Sequence, residues 1–207
     1  MQNLSDELAH IEASTLQHYN QNAESYWQGT QDHDVSQNYT AFLDALPAGK
    51  SLDILDLGCG PGRDVKHFRA LGHNPVGLDG SEAFCRMARA YTACSIWHQS
   101  FLNLDLPQQR FDGIFANASL FHVPRIELPR VLMELHAALR AGGVLFMSNP
   151  RGSGEGWSGQ RYGYFVEFET GSRYLADAGF DILSHYYRPA GKPRHEQPWL
   201  AIVARKA

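Results

Sequence analysis

Residues 52–64 read LDILDLGCGPGRD, and this stretch decides the fold. Its first half is a short aliphatic run of the kind that forms a buried strand. Three glycines, Gly58, Gly60 and Gly62, then alternate with other residues just before apolar positions that recur at helical spacing. Glycine allows a positive φ and lets another molecule approach the backbone closely. The stretch therefore predicts a strand, a ligand-binding loop and a helix, in that order.

The alternation of strand and helix continues downstream. Ser81 is the predicted N-cap of the next helix, and Gly142 and Gly143 are predicted to close the helix that contains residues 131–139. Such alternation with short loops implies right-handed crossovers and a parallel sheet covered on both faces. We therefore predict a doubly wound, Rossmann-like α/β fold, with its first strands near residues 52–57, 76–79, 96–98, 111–116 and 144–147.

The end of the chain breaks this pattern. Residues 180–183 and 200–203 look like strands, and the segment between them contains Pro189, Pro193 and Pro198. Because this proline-rich segment leaves no room for a helix, we expect the two strands to pair antiparallel. The predicted sheet thus has seven strands, mostly parallel, with the seventh antiparallel.

Residues 1–48 precede this core and are predicted to be helical. Leu4 and Ile11 lie on one apolar stripe of an amphipathic helix, and a polar stretch with several aromatic residues follows. We expect this segment to form a helical N-terminal cap within a single domain of residues 1–207, whose α/β core spans residues 50–207.

Composition excludes several classes of partner. The chain has 207 residues, 43% of them hydrophobic, which suits one domain with a full-sized core. Its 18 basic residues are scattered and are outnumbered by 22 acidic ones, so nucleic acid is a poor partner. No apolar run reaches the roughly 18 to 20 residues of a membrane span, and the start lacks the features of a signal peptide. We expect a cytoplasmic protein with three free thiols, no metal and no membrane partner.

The glycine spacing distinguishes two classes of cofactor loop. A dinucleotide-binding loop reads G-x-G-x-x-G, and its third glycine would fall where this chain has Arg63. The spacing G-x-G-x-G, with Asp56 before it and Asp79 ending the next strand, resembles the first motif of class I S-adenosylmethionine-dependent methyltransferases. The resemblance extends over residues 50–207 and includes the antiparallel seventh strand. It is more specific for small bacterial methyltransferases of unassigned substrate. The segments that suggest them are residues 22–26, 60–64, 119–124 and 152–155. The chain departs from them at Ala141, where they usually have proline.

This resemblance implies S-adenosylmethionine as the cofactor. Asp79 would accept hydrogen bonds from both ribose hydroxyls; capping a helix is its alternative role, for which Ser81 is better placed. Gly58 and Gly60 would bring backbone groups against the methionine part. The residues implied for the cofactor are Tyr26, Asp56, Gly58, Cys59, Gly60, Gly62, Arg63, Asp79, Gly80, Ser81, Phe101, Leu102 and Asn117.

Some of these residues have an alternative structural role. Arg63 is in the first turn of a helix, where a cation needs a nearby anion; that anion is either the methionine carboxylate or Asp64 or Glu82. Asn117 either contacts the methionine part or caps the turn after its strand. Tyr26 and Tyr19 either close over the methionine end as a lid or pack in the core.

The adenine slot is expected in the loop after the third strand. Many relatives carry an acidic residue there, whereas this chain has Gln99 and Ser100. The exocyclic amine of adenine is therefore expected to meet a backbone carbonyl or an amide oxygen, beside Phe101 and Leu102.

The acceptor side is less clearly defined by the sequence. His122, just after the fourth strand, is the candidate general base, and shaping the pocket wall is its alternative role. The glycine-rich segment 148–164 is predicted to be a mobile flap that selects the acceptor. If Arg151, Arg161 and Arg194 converge, the acceptor carries an anion; exposure to solvent is the alternative for each arginine. The residues predicted to bind the acceptor are Arg151, Glu155, Tyr162 and Arg194.

The expected function is methyl transfer from S-adenosylmethionine to a small molecule by direct in-line displacement. Three alternatives stay open: methylation of a protein or nucleic acid, hydride transfer with a nicotinamide cofactor, and cofactor binding without catalysis. The acceptor, the methylated atom and the choice between monomer and homodimer are not determined by these residues.

Overall fold

The computed structural model describes residues 2–207. Its helices are α1 (Gln2–Gln21), α2 (Ala23–Thr30), α3 (Ser36–Leu43), α4 (Arg63–Ala70), α5 (Glu82–Thr92), α6 (Leu128–Ala138) and α7 (Phe168–Asp177). Its strands are β1 (Asp53–Leu57), β2 (Asn74–Asp79), β3 (Ser95–His98), β4 (Phe111–Asn117), β5 (Leu139–Pro150), β6 (Gly154–Ser158), β7 (Arg161–Phe165), β8 (Phe180–Arg188) and β9 (Trp199–Lys206). Short 3₁₀ turns cover Leu120–His122 and Arg194–Glu196.

Seven of the strands form one sheet in the order β3-β2-β1-β4-β5-β9-β8. β9 runs antiparallel to both of its neighbours, and the other pairs are parallel. The predicted seven-stranded sheet with an antiparallel seventh strand is therefore confirmed. Strand order reverses between β1 and β4, and the carboxyl ends of strands at such a point form the usual ligand crevice of an open α/β sheet.

The central strands are buried on both faces of the sheet. Phe115 of β4 packs with Phe42 of α3 and Phe68 of α4 on one face. Leu57 of β1 packs with Leu132 of α6 on the other. Because both faces are covered, the central strands are nearly continuous apolar runs rather than alternating ones.

The segment that was predicted to be a mobile flap is instead a β-hairpin. β6 and β7 form a separate two-stranded antiparallel sheet. Tyr162 and Tyr164 alternate along β7 with their side chains buried, and Val166 just after the strand is buried as well. This period of two is a strand pattern, and burial of the tyrosines holds the segment in place despite its glycines.

The boundary between α6 and β5 also differs from the prediction. α6 ends at Ala138, and Leu139 already pairs with Phe111 of β4. Gly142 and Gly143 therefore lie inside β5, where the register shifts, rather than closing the helix. Gly142 has a φ of +71°, which suits an irregularity in a strand.

The predicted amphipathic helix is present as α1, but its buried stripe lies further along the chain. Leu4 is exposed, whereas Ile11 and Thr15 are buried. Leu16 packs so closely against Gly80 that a Cβ there would lie 2.7 Å from its Cδ2 atom. α1 therefore lies across the carboxyl end of β2. No helix among the described residues is long and apolar enough to span a bilayer.

Candidate cofactor and acceptor site

A cavity of about 720 Å³, including the space open to solvent, lies at the carboxyl ends of β1, β2 and β4. One wall comes from the loops that follow these strands and the other from α1 and α2. Of the residues predicted to bind the cofactor or to act in catalysis, the cavity brings together Tyr26, Gly58, Gly60, Asp79, Gly80, Phe101, Leu102 and His122.

Gly58 and Gly60 line this cavity for different reasons. Gly58 has a φ of +75°, and a Cβ at this position would collide with the side chain of Ser119. Gly60 has a φ of +51°, and a Cβ there would have only Tyr26 within 4 Å, at 3.9 Å. The backbone of Gly60 thus faces open space, where a ligand could rest against it.

Gly62, Cys59 and Ser81 do not line the cavity. A Cβ on Gly62 would lie 2.7 Å from Cγ2 of Thr92, so this glycine lets α4 pack against α5. Cys59 is buried in an apolar cluster beside α4. The hydroxyl of Ser81 accepts a hydrogen bond from the backbone N–H of Phe84, as predicted for an N-cap. A direct cofactor contact for these three residues stays a prediction.

The carboxylate of Asp79 is buried in the cavity wall. One oxygen accepts from the backbone N–H of Gly60 at 2.9 Å and the other from that of Ser81 at 2.8 Å. Burial raises the pKa of Asp79 to about 6. Each carboxylate oxygen can accept a second hydrogen bond, so the group can still receive two hydroxyl donors.

Asp56 and Asp64 add two more buried carboxyl groups behind the glycine loop. Burial, together with the charge of Asp64, raises the pKa of Asp56 well above its usual range, and its Oδ2 atom has no hydrogen-bond partner. Arg63 binds Asp64 through Nε at 2.6 Å and Nη2 at 3.0 Å, and donates through Nη1 to the carbonyl of Thr30. Of the anions considered for Arg63, the structure pairs it with Asp64.

Asn117 lies beneath the cavity rather than in its wall. Its Nδ2 donates to Asp64 at 3.3 Å, and its Oδ1 accepts from Asn38 of α3 at 2.9 Å. The wall above it is formed by Ala118 and Ser119. Asn117 therefore links the glycine loop to α3.

The electrostatics of this region fit S-adenosylmethionine. Asp56, Asp64 and Asp79 are buried near one guanidinium, that of Arg63. The cofactor carries an ammonium, a sulfonium and one carboxylate, so its net charge is positive. The buried acidic groups outnumber the one guanidinium beside the open glycine backbone, and this environment suits a positively charged ligand.

His122 lies at the opposite end of the cavity, in the 3₁₀ turn. Its Nδ1 is 2.6 Å from the carbonyl oxygen of Tyr162, which can only accept, so Nδ1 carries the proton. Its Nε2 therefore accepts from the hydroxyl of Tyr19, at 2.7 Å. Burial lowers the pKa of His122 to about 4, and the charge of Arg161 contributes. The ring is neutral at physiological pH and is a weak base.

The four residues predicted to bind the acceptor lie outside the cavity wall. The Tyr162 hydroxyl donates to Glu155, and only the Tyr162 carbonyl reaches the site, through His122. Arg151 binds the carboxylate of Glu167 at 2.8 and 3.0 Å. Arg194 lies over the ring of Tyr187, 2.9 Å from its centroid.

Arg161 is the one arginine of the predicted convergence that approaches the cavity. It lies on β7 next to Tyr162, and its side chain interacts with the Tyr19 hydroxyl; its charge contributes to the lowered pKa of His122, whereas burial raises the pKa of Tyr19. Its Nε atom is buried without a hydrogen-bond partner, and it forms no salt bridge with any described carboxylate. The three arginines do not converge, because internal contacts hold the guanidinium groups of Arg151 and Arg194.

Apart from Tyr19, sequence reasoning missed the residues that α1 contributes to the cavity wall. Ile11, Glu12, Thr15 and Leu16 all line it, and Glu12 accepts a hydrogen bond from Ser100. Spacing of three to four residues was the available signal, but it does not say which surface a helix covers.

Residues 54–143 match a family described as a methyltransferase domain. Trans-aconitate 2-methyltransferase from Azoarcus is 35% identical over 111 residues, which are 53% of this chain and 43% of that protein. Malonyl-[acyl-carrier protein] O-methyltransferase from Pectobacterium atrosepticum is 33% identical over 104 residues, which are 50% and 40% of the two chains. The chain thus spans less than half the length of these two relatives.

Solved structures share the fold at low identity. The 1,6-didemethyltoxoflavin-N1-methyltransferase of Burkholderia thailandensis, with bound 1,6-didemethyltoxoflavin and S-adenosylhomocysteine, has a TM-score of 0.75 at 22% identity, over 98% of this chain and 90% of that one. An S-adenosylmethionine-dependent methyltransferase from Mesorhizobium loti has a TM-score of 0.67 at 23% identity, over 81% and 97%.

The sheet order with its antiparallel β9, the glycine loop and the buried acidic residue that ends β2 define a Rossmann-like methyltransferase fold. Residues 54–143 are thus similar in sequence to methyltransferase domains, and the chain as a whole shares the fold of S-adenosylmethionine-dependent methyltransferases.

Proposed function

We propose that this chain transfers the methyl group of S-adenosylmethionine to a small-molecule acceptor. The observation that supports this most directly is one cavity that reaches from Gly60 and Asp79 to Tyr19 and His122. A displacement at carbon requires the nucleophile to be held in line with the sulfonium and water to be excluded. One cavity lined both by the glycine loop with Asp79 and by aromatic side chains suits the first requirement, because it can hold the two reactants side by side.

In this proposal the chain binds and orients, and the cofactor supplies the electrophilic methyl carbon. Asp79 accepts from the ribose hydroxyls, and the backbone at Gly60 faces the methionine part. Tyr19 and Tyr26 pack on Phe84 and on each other, with ring centroids 5.7 Å apart, and so close the site from the cap side.

His122 serves as a positioning residue in this mechanism. It donates to the Tyr162 carbonyl and accepts from the hydroxyl of Tyr19, so it holds the tyrosine ring at the cavity wall. Since the pKa of His122 is about 4, it is poorly matched to proton abstraction near neutral pH. An acceptor whose nucleophilic atom is already deprotonated needs no such base.

The acceptor in this proposal carries a carboxylate or a comparable anion. Arg161 supports this because its buried Nε lacks a partner while its charge acts on Tyr19 and His122. A guanidinium with free donors binds planar anions in bidentate geometry. One relative is named for trans-aconitate, which is an anion.

The proposal also includes the setting of the reaction. Residues 1–207 act as one domain, with residues 1–48 as a cap; the cavity residues on α1 and α2 support this. The three cysteines without disulfides favour a reducing, cytoplasmic location, as a monomer or homodimer.

The proposal is tested by supplying S-adenosylmethionine labelled in its methyl group with fractionated pools of small metabolites. We expect label to enter an anionic fraction, and Asp79→Asn to abolish transfer at limiting cofactor. Label in protein or nucleic acid only, or tight binding of NADH with none of S-adenosylhomocysteine by calorimetry, would reject the proposed function.

The anionic acceptor is tested with Arg161→Gln and, as the matched control, Arg205→Gln on β9. Arg161→Gln should raise KM for the identified acceptor by about 10- to 100-fold, the effect of one lost charge-assisted hydrogen bond. The cofactor Kd should not change. An unchanged acceptor KM would remove Arg161 from the acceptor site.

A further inference from the structure

No acidic side chain of the loop after β3 lines the cavity, and the amide of Gln99 in this loop is bound to the loop's own backbone. Gln99 donates through Nε2 to the carbonyl of Asp105 at 3.2 Å and accepts through Oε1 from the backbone N–H of Asp105 at 2.9 Å. The nitrogen and the oxygen of the amide therefore both bind the backbone of the same loop. Gln99 itself does not line the cavity, so its amide oxygen does not face the expected place of the adenine.

A carboxylate reaches the same place from the N-terminal helix. Glu12 of α1 lines the cavity and accepts a hydrogen bond from the hydroxyl of Ser100. Burial raises the pKa of Glu12. No cation of the described part of the chain forms a salt bridge with Glu12. One of its oxygens thus remains free to accept from a ligand.

The neighbours of Glu12 form an apolar part of the cavity wall. Leu16 from α1 and Phe101 and Leu102 from the loop line the cavity beside Ser100. Gly80 follows Asp79 directly, so this part of the wall adjoins the carboxylate assigned to the ribose. A base attached to that ribose would lie against it, with its edge toward Glu12.

We propose that Glu12 recognises the exocyclic amine of the cofactor's adenine, so that α1 supplies the carboxylate that the loop after β3 does not bring to the cavity. The inference rests on the proposed function. An ionised carboxylate only accepts hydrogen bonds, and the 6-amino group of adenine only donates. Ser100 positions Glu12 by donating to it, while the hydroxyl of Ser100 accepts from the backbone N–H of Leu102 at 3.0 Å.

The test compares S-adenosylhomocysteine with S-inosylhomocysteine, whose base has a 6-oxo group in place of the amine. The full chain should bind the adenosine ligand more tightly by about 10- to 100-fold, because the oxo group and the carboxylate both accept. Glu12→Gln should weaken binding of the adenosine ligand and reduce this preference to about threefold or less, since an amide can donate to the oxo group.

Three further measurements complete the test. Glu7→Gln makes the same chemical change on an exposed part of α1 and should leave both Kd values as in the wild type. Glu12→Asp keeps the charge but shortens the side chain by one methylene group. The preference for S-adenosylhomocysteine over S-inosylhomocysteine should therefore fall, but S-adenosylhomocysteine should remain the tighter ligand. Circular dichroism establishes that each variant is folded.

The outcomes separate this inference from the proposed function. If Glu12→Gln weakens both ligands by the same factor, or changes neither, Glu12 does not read the base and the inference is rejected while the proposed function stands. If the wild-type chain binds neither ligand, the proposed function fails first.

Discussion

At the scale of single residues, the site depends on how burial shifts the properties of two titratable groups. Asp79 and His122 both line the cavity, and burial acts on them in opposite directions because it disfavours the charged form of each. Asp79 has a raised pKa of about 6 and His122 a lowered pKa of about 4. At neutral pH the wall therefore presents a carboxylate acceptor at one end and a neutral imidazole at the other.

Cofactor affinity is predicted to fall in mild acid. In the proposed function the ribose hydroxyls donate to the ionised form of Asp79; burial raises the pKa of this group to about 6, so protonation below that pH removes the acceptor. The Kd of S-adenosylhomocysteine should be constant from pH 7 to 8 and should rise as pH falls through about 6. Titration calorimetry across this range measures it. Asp79→Asn should weaken binding by about 10- to 150-fold at pH 7.5 and flatten the pH dependence; a variant that keeps the wild-type profile would assign the titration to another group.

His122→Ala is predicted to lower kcat only moderately. The variant loses hydrogen bonds to Tyr19 and to the Tyr162 carbonyl, which amounts to about 5- to 10-fold. Loss of a general base would cost about 10²- to 10⁴-fold instead. Steady-state rates against pH distinguish the two roles: the limbs of the profile should be the same in both proteins. A drop beyond about 100-fold that also removes one limb would restore His122 as the base.

At the scale of elements, the glycine loop does two jobs within a few residues. Gly60 leaves its backbone open to the cavity, whereas Gly62 caps α4 and lets that helix approach α5. The hairpin β6–β7 supports the site without lining it, because the carbonyl of Tyr162 orients His122. Binding and packing are therefore separable along one short loop.

The pair Gly60→Ala and Gly62→Ala is predicted to separate binding from stability. Gly62→Ala strains a φ of +97° and forces a Cβ against Thr92 and Ala88, so we expect it to cost about 2–4 kcal/mol of unfolding free energy. Gly60→Ala strains the backbone without a clash and should cost about 1–2 kcal/mol. Urea unfolding and calorimetry on each protein measure stability and Kd. Only Gly60→Ala should weaken S-adenosylhomocysteine binding of the folded protein; equal Kd values in the two variants would contradict this division.

At the scale of the whole molecule, the cavity is closed by contacts between distant parts of the chain. The Tyr19–His122 bond joins residues 103 positions apart, and the Glu12–Ser100 bond joins residues 88 positions apart. A ligand that fits between the cap and the sheet should therefore stabilise the native state as a unit, because it binds only when both are in place.

Thermal unfolding is predicted to respond to the cofactor product. S-Adenosylhomocysteine at 100 times its Kd should add about 2.7 kcal/mol of stability. For a chain of this size that corresponds to a rise in Tm of about 5–10 °C. Differential scanning fluorimetry measures the shift, with NADH at the same concentration as the control. A larger shift with NADH would contradict the assigned cofactor.

Much of the fold could be predicted from local sequence because its signals are local. The aliphatic run before Gly58 and the N-cap at Ser81 depend on neighbours within one turn or strand, and both are present as expected. The hairpin was missed because the glycines of segment 148–164 outweighed the alternation of Tyr162 and Tyr164. Its stability comes from burial against the rest of the molecule, which no local pattern reports.

The sequence by itself determined the seven strands of the main sheet, its antiparallel end and the glycine loop with Asp79, because backbone conformation and burial period depend on neighbouring residues. Only the tertiary structure decided which side chains share the cavity. It paired Arg63 with Asp64, left Arg161 without a carboxylate partner and brought Glu12 to Ser100. These outcomes depend on where α1 and the hairpin pack against the sheet, and packing between distant elements is set by the shape of the whole core.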